Sequence, residues 1–190
     1  LVPAPAAARP PAELTAALPT GFDPSVWGNV RNQTTPYLLN LTSNPQPAFI
    51  GSDFSHTYQL LFTMGQVQNV NNGLSGYYGL ANSLNAATDP TTPASWVPLG
   101  TDSAGNVWNG SSFSGGTTGF DGTFNGLGNT ISNLTINNNN SYFVGLFGDI
   151  GPGGTVANIG LPGGSVTASK SAAGVGALAA VNYGTITNSY

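Results

Sequence analysis

Charge is what this chain has least of. Of its 190 residues three are Lys or Arg and seven are Asp or Glu, so that charged side chains make up 5% where an ordinary soluble domain has roughly 25%. A surface so poor in cations cannot neutralise a run of phosphates or hold to an anionic bilayer, and neither nucleic acid nor membrane insertion is expected. Cysteine is absent, which removes disulfides, thiol nucleophiles and thiolate metal sites together. No apolar run approaches the roughly 20 residues of a membrane-spanning helix. The opening Leu1-Val2-Pro3-Ala4-Pro5 lacks the basic and apolar regions of an intact signal peptide. Gly-x-Gly pairs occur without the Lys-Ser or Lys-Thr of a nucleotide loop, so neither a cofactor nor a metal is expected, and the glycines read as turn residues.

What is present is a repeat. A short apolar strand breaks at an asparagine three times, in Thr130-Ile131-Ser132-Asn133-Leu134, Thr155-Val156-Ala157-Asn158-Ile159 and Thr185-Ile186-Thr187-Asn188-Ser189. The copies lie about 25 and about 30 residues apart, a period typical of solenoids. Each is preceded by a second strand-like run: Phe120–Phe124, Phe143–Phe147 and Ala173–Leu178. Asparagine tolerates the left-handed backbone conformation and can bend a strand so that the apolar residues on both sides point inward. Asn133, Asn158 and Asn188 are therefore expected to stack in successive coils as a ladder of amides at the strand spacing of about 4.8 Å. With 39% hydrophobic residues regularly spaced, disorder is a poor description.

Along the chain, residues 1–20 are rich in Pro and Ala and read as an extended linker. Residues 21–50 hold Trp27, Tyr37, Leu38 and Leu39 between Pro24 and Pro36, and one or two short strands are expected. Between Tyr58 and Asn72 the residues Leu60, Leu61, Met64, Val67 and Val70 recur every three to four positions, which predicts a short capping helix near residues 58–72 with Thr57 at its start and Gly73 at its end. Residues 51–190 form the repetitive module, and the stop at Tyr190 inside the third copy suggests a piece of a longer protein.

The run Phe120-Asp121-Gly122-Thr123-Phe124-Asn125-Gly126-Leu127-Gly128-Asn129-Thr130-Ile131-Ser132-Asn133-Leu134-Thr135-Ile136, followed by Val144-Gly145-Leu146-Phe147-Gly148, resembles modules that carry the GLUG motif. These occur in large bacterial exoproteins of the filamentous-haemagglutinin and adhesin type and in non-catalytic regions of immunoglobulin A peptidases. Val175–Leu178 and Asn182–Tyr190 look like the repeat cut short. Leu74–Leu84 and Trp96–Gly100 resemble the module's earlier strands, and Val26-Trp27 with Pro36-Tyr37-Leu38 the closing segment of a preceding module at 21–50. The resemblance implies an all-β, right-handed parallel β-helix exported to the bacterial surface or medium, with a structural or adhesive role. Its partners would be a host or matrix glycan or protein and the neighbouring repeats.

Chemistry is sparse. Asp121 and Asp149 are the acids of the regular region. Their different offsets from the asparagine bend give no reason for them to meet, and they read as solvated turn aspartates. Asp102 and Asp121 do not form the spaced acidic loop of a strong calcium site. Ser52-Asp53-Phe54-Ser55-His56 contains hydrolase residue types, but adjacency is not triad geometry, and His56 reads as a loop residue. No catalytic residue is assigned. Tyr77, Tyr78, Trp96, Trp108 and Phe113 could form a platform for sugar rings, although such aromatics are more often core. The alternative function is a non-catalytic spacer or carbohydrate-binding region of a secreted peptidase or polysaccharide-degrading enzyme.

Overall fold

Triplets of the form polar–apolar–polar become three-residue strands in the computed structural model, because each places one apolar side chain on one face and two polar ones on the other. The structure describes residues 11–30, 33–39, 41, 43–50, 53–101, 119–138, 142–168 and 174–190. In chain order the elements are α1 (Pro11–Ala16), β1 (Trp27–Gly28), β2 (Tyr37–Leu38), β3 (Gln46–Ile50), β4 (Asp53–Leu61), α2 (Met64–Gln68) with a 3-10 turn at Asn69–Asn72, β5 (Tyr77–Leu80) and β6 (Leu84–Asn85). Then follow β7 (Thr123–Asn125), β8 (Ile131–Ser132), β9 (Thr135–Asn137), β10 (Phe143–Val144), β11 (Phe147–Ile150), β12 (Thr155–Ala157), β13 (Ser165–Thr167), β14 (Gly174–Val175), β15 (Ala179–Asn182) and β16 (Thr185–Thr187). Strands dominate, and the chain is all-β in class.

Among the described residues, every pairing of the strands from β4 onward with one another is parallel. The largest sheet has six strands in the order β16-β12-β7-β5-β4-β3. Thr123 lies opposite Thr155 and Thr155 opposite Thr185, so partners in this part of the sheet are about 30 residues apart. The same interval separates Thr135 from Ser165, Phe143 from Gly174 and Phe147 from Ala179. Register places Tyr78, Phe124, Val156 and Ile186 in one column. Phe124 and Val156 are fully buried, and such side chains each contribute about 1.5–3 kcal/mol on burial. The outward column is Tyr77, Thr123, Thr155 and Thr185.

Glycine precedes each member of that outward column, as Gly76, Gly122, Gly154 and Gly184. The backbone N–H of Thr123 donates to Gly76 O, that of Thr155 to Gly122 O and that of Thr185 to Gly154 O. A Cβ on Gly122 would collide with Gly76 O, and one on Gly184 with Gly154 O. Close approach of successive backbones therefore requires glycine at these positions.

At the N-terminal end β1 pairs β2 and β3 pairs β4, both antiparallel. Pro47 lies in β3, at the sheet edge, where its missing N–H costs no ladder bond. Tyr37, Ala48 and Ile50 pack with Tyr58, Leu60, Phe62, Ala81 and Leu127 in a second apolar cluster, so side chains from both sides of the expected boundary at residue 50 share one core.

Two expectations are corrected. Residues 11–16 of the expected extended linker are helical, with Pro11 at the first helical position, where a fixed φ and an absent N–H are tolerated; residues 1–10 lie outside the described residues. The helix expected over 58–72 begins only at Met64, and Tyr58–Leu61 belong to β4. Leu60 and Leu61 fit the helical spacing by sequence, but strand pairing with β3 on one side and β5 on the other supplies their backbone partners. Thr63, not Thr57, caps the helix by accepting from Gln66 N at 3.3 Å, and two further amides of the first turn donate to Asp89 and Thr91. Met64, Val67 and Val70 are buried in the main core with Leu80, Leu84, Trp96 and Leu99.

Candidate functional site

Asparagine corners are the feature that recurs from rung to rung. Among the described residues four non-glycine residues have positive φ, namely Leu127 (55°), Asn133 (55°), Asn158 (57°) and Asn188 (49°). All three asparagines singled out by the repeat thus occupy the left-handed region that favours asparagine over most other residues. Asn188 Nδ2 donates to Asn158 Oδ1 at 3.2 Å, and Asn158 Nδ2 donates to Asn125 Oδ1 at 3.1 Å.

Asn133 is not in that column. Its amide donates to Asn85 Oδ1 at 3.2 Å, and β8, which precedes it, pairs with β6. The next rung at this corner carries Gly163 and Gly164, both with positive φ, and Asn133 N donates to Pro162 O at 3.0 Å. The expected ladder of Asn133, Asn158 and Asn188 is therefore two columns on two corners, Asn125-Asn158-Asn188 and Asn85-Asn133. On both corners a left-handed asparagine follows a Thr-apolar-x strand, at Asn133 on one and at Asn158 and Asn188 on the other, so the two motifs look alike in sequence. Asn125 accepts the amide of Leu127 as well, at 2.9 Å, and so turns the corner without itself having positive φ.

Of the proposed sugar-facing aromatics, Tyr78 and Trp96 are core. Tyr78 is 6% exposed and its hydroxyl donates to Gly73 O at 2.7 Å; Trp96 is 3% exposed and its indole N–H donates to Leu146 O at 3.3 Å. Tyr77 is half-buried on the outer face, with the His56 ring stacked on it at 4.0 Å and Tyr58 meeting it edge-on at 5.4 Å. Trp108 and Phe113 lie outside the described residues, as does Asp102. His56 is in strand β4 rather than a loop, and its Nδ1 is 3.0 Å from Ser55 Oγ.

Asp121 and Asp149 do come together. Phe120 and Ile150 form a parallel bridge, and Phe120 N donates to Asp149 O at 3.0 Å, so the two acids flank one backbone crossing. Asp121 Oδ1 accepts the amide of Gly153 at 3.1 Å, in the turn just after Asp149. Asp149 Oδ2 lies 2.9 Å from where a Cβ would stand on Gly119, two residues before Asp121. Asp149 is not a solvated turn residue: it is 4% exposed, and its Oδ1 has no hydrogen-bond partner. Burial first, and the charge of Asp121 second, push its carboxyl up to about 6. The signal for this meeting was the pairing of Phe120 with Ile150, which offsets from the asparagine bend do not reveal. No group of three or more His, Asp or Glu gathers among the described residues.

No family model matches the chain, and no solved structure matches it. Over 133 residues the chain is 37% identical to a protein of Evansella cellulosilytica named "Putative Gly-rich membrane protein", a match that takes in 68% of the chain. The chain spans 14% of the length of that relative. Among the described residues no helix is long and apolar enough to cross a membrane.

Proposed function

We propose that this chain is a stretch of right-handed parallel β-helix, of the kind built from GLUG-motif modules, and that it serves as a structural and adhesive segment of a long bacterial exoprotein at the cell surface or in the medium. The observation that carries this reading is the parallel pairing at a constant interval of about 30 residues on four separate strand columns. A coil that satisfies its neighbour's backbone groups and adds one apolar layer can be repeated without redesign of the core, which suits a rod that holds a binding surface away from its anchor. The long Gly-rich relative, of which this chain matches a seventh, fits a module within such a rod, and the word membrane in its name fits attachment at a cell surface.

The segment is non-catalytic in this reading. Ser55 and His56 neighbour one another in one strand, and in the pair of acids that meet among the described residues Asp149 is buried while Asp121 is half-buried. Its partners are a host or matrix glycan or protein, and flanking coils of the same polypeptide; nucleic acid is not among them, because three basic residues cannot neutralise a phosphate backbone. Beads coated with the chain, passed over arrays of matrix proteins and glycans, should be retained saturably and without turnover of the ligand. Hydrolysis of saccharide or peptide by the purified chain, or retention on no surface, would refute the proposal.

A further inference from the structure

The buried carboxylate of Asp149 has an oxygen that no described residue satisfies, while a second carboxylate stands at the same crossing. Four independent facts describe the place. Asp149 is 96% buried by solvent exposure of 4%. Its Oδ1 makes no hydrogen bond. Its Oδ2 occupies the space that a Cβ on Gly119 would take, and Gly119 has a positive φ of 76°. Asp121 Oδ1 accepts the amide of Gly153. An ionised carboxylate left without partners in the interior costs several kcal/mol, and a like charge beside it adds to that cost.

We propose that Asp121 and Asp149 together hold a calcium-class divalent cation at the crossing of β11 with the Phe120 bridge. A cation there gives Oδ1 of Asp149 its missing partner and converts the repulsion between the carboxylates into shared attraction. Hard carboxylate oxygens select calcium or magnesium over softer metals, and of the two calcium tolerates irregular coordination at a strand crossing whereas magnesium requires near-ideal octahedral geometry. Two carboxylates make a weak site, with an expected Kd of about 10⁻⁴–10⁻³ M, the range of extracellular modules. This inference does not depend on the adhesive role.

The test is thermal unfolding of the 190-residue chain at pH 7.5 in EDTA and in calcium at about ten times Kd, with terbium luminescence as a direct binding readout. Calcium should raise Tm by about 3–6 °C, and terbium emission should saturate and be competed by calcium. Asp149→Asn should raise Tm in EDTA and remove the calcium response; Asp121→Asn should remove the response as well. An unchanged Tm in calcium together with no saturable terbium emission overturns the proposal. So does a calcium response retained in Asp149→Asn, and an equal response to magnesium overturns the assignment to calcium. If Asp149→Asn does not fold, terbium binding and its competition in the wild-type chain decide the matter alone.

Discussion

Asn158 occupies the middle of an amide column and a left-handed corner at once, so two substitutions there separate the two contributions. Asn158→Gly removes the side-chain bonds to Asn125 and Asn188 while leaving φ of 57° accessible. Neither partner is left stranded in the interior: Asn125 Oδ1 keeps the amide of Leu127, and Asn188 is exposed. The two lost bonds are partly solvated, which puts their sum near the low end of about 0.5–1.5 kcal/mol each, and the cost of Asn158→Gly at about 1 kcal/mol. Asn158→Ala loses the same bonds and also replaces a residue whose short polar side chain eases the left-handed conformation with one that bears its full steric cost, which adds about 1–2 kcal/mol. Its expected cost is about 2–3 kcal/mol. Urea unfolding followed by tryptophan fluorescence and far-UV circular dichroism measures both, provided that the slopes with denaturant agree. If alanine proves no worse than glycine, backbone strain at this corner is not what selects asparagine. If both are neutral, the amide column contributes nothing to stability.

Three further outcomes follow from the register, the glycine column and the buried acid. Because the chain has no cysteine, Thr155→Cys with Thr185→Cys should oxidise readily across one ladder step, whereas Thr123→Cys with Thr185→Cys should not, two steps placing the Cα atoms about 9.6 Å apart; mass spectrometry after mild oxidation checks both. Gly122→Ala should destabilise by about 1–3 kcal/mol or more, since its Cβ meets the main chain at Gly76 O and not a movable side chain; a neutral result in urea unfolding would mean that neighbouring rungs separate easily. In EDTA, the stability of the wild-type chain relative to Asp149→Asn should fall as pH rises from about 4 to 7, because a carboxyl raised from 3.8 to about 6 favours folding when protonated and loses that contribution as pH passes its folded value. The full span is about 3 kcal/mol, and a flat difference between the two proteins across that range would remove Asp149 as the source.

The class of fold was legible because its determinants are local. Thr155-Val156-Ala157 and Thr185-Ile186-Thr187 announce strands by composition and alternation, and an asparagine after each announces the bend. Pairing partners were harder to read. Asn133 follows Thr130-Ile131-Ser132 just as Asn158 follows Thr155-Val156-Ala157, yet one turns the chain between β8 and β9 and the other turns it after β12. A sequence alignment compares side chains, whereas the column is decided by which backbones hydrogen-bond, and Asn125 joins it without a left-handed conformation of its own, the positive φ falling at Leu127 instead. The helix was over-extended for the same reason. Leu60 and Leu61 stand at helical spacing from Met64 and Val67, and only the presence of β3 and β5 on either side of β4 makes extended backbone the better-bonded state. Tyr78 and Trp96 carried no sign of their burial beyond the tendency of aromatics to be core.

Asp149 is where local legibility failed most informatively. Its neighbours Phe147 and Ile150 are both fully buried, although strict alternation would put them on opposite faces of a strand. The irregularity is visible in the hydrogen bonds, since Leu99 O accepts from both Gly148 N at 2.7 Å and Asp149 N at 3.4 Å. With both apolar residues inward and Leu99 shared between two successive amides, Asp149 is left covered, so the buried acid follows from the packing of its neighbours and not from its own preference. A residue of almost any uncharged polar type would fill that position at less cost. That an aspartate stands there, opposite Asp121 and with an oxygen to spare, is what makes a bound cation the economical account of the place.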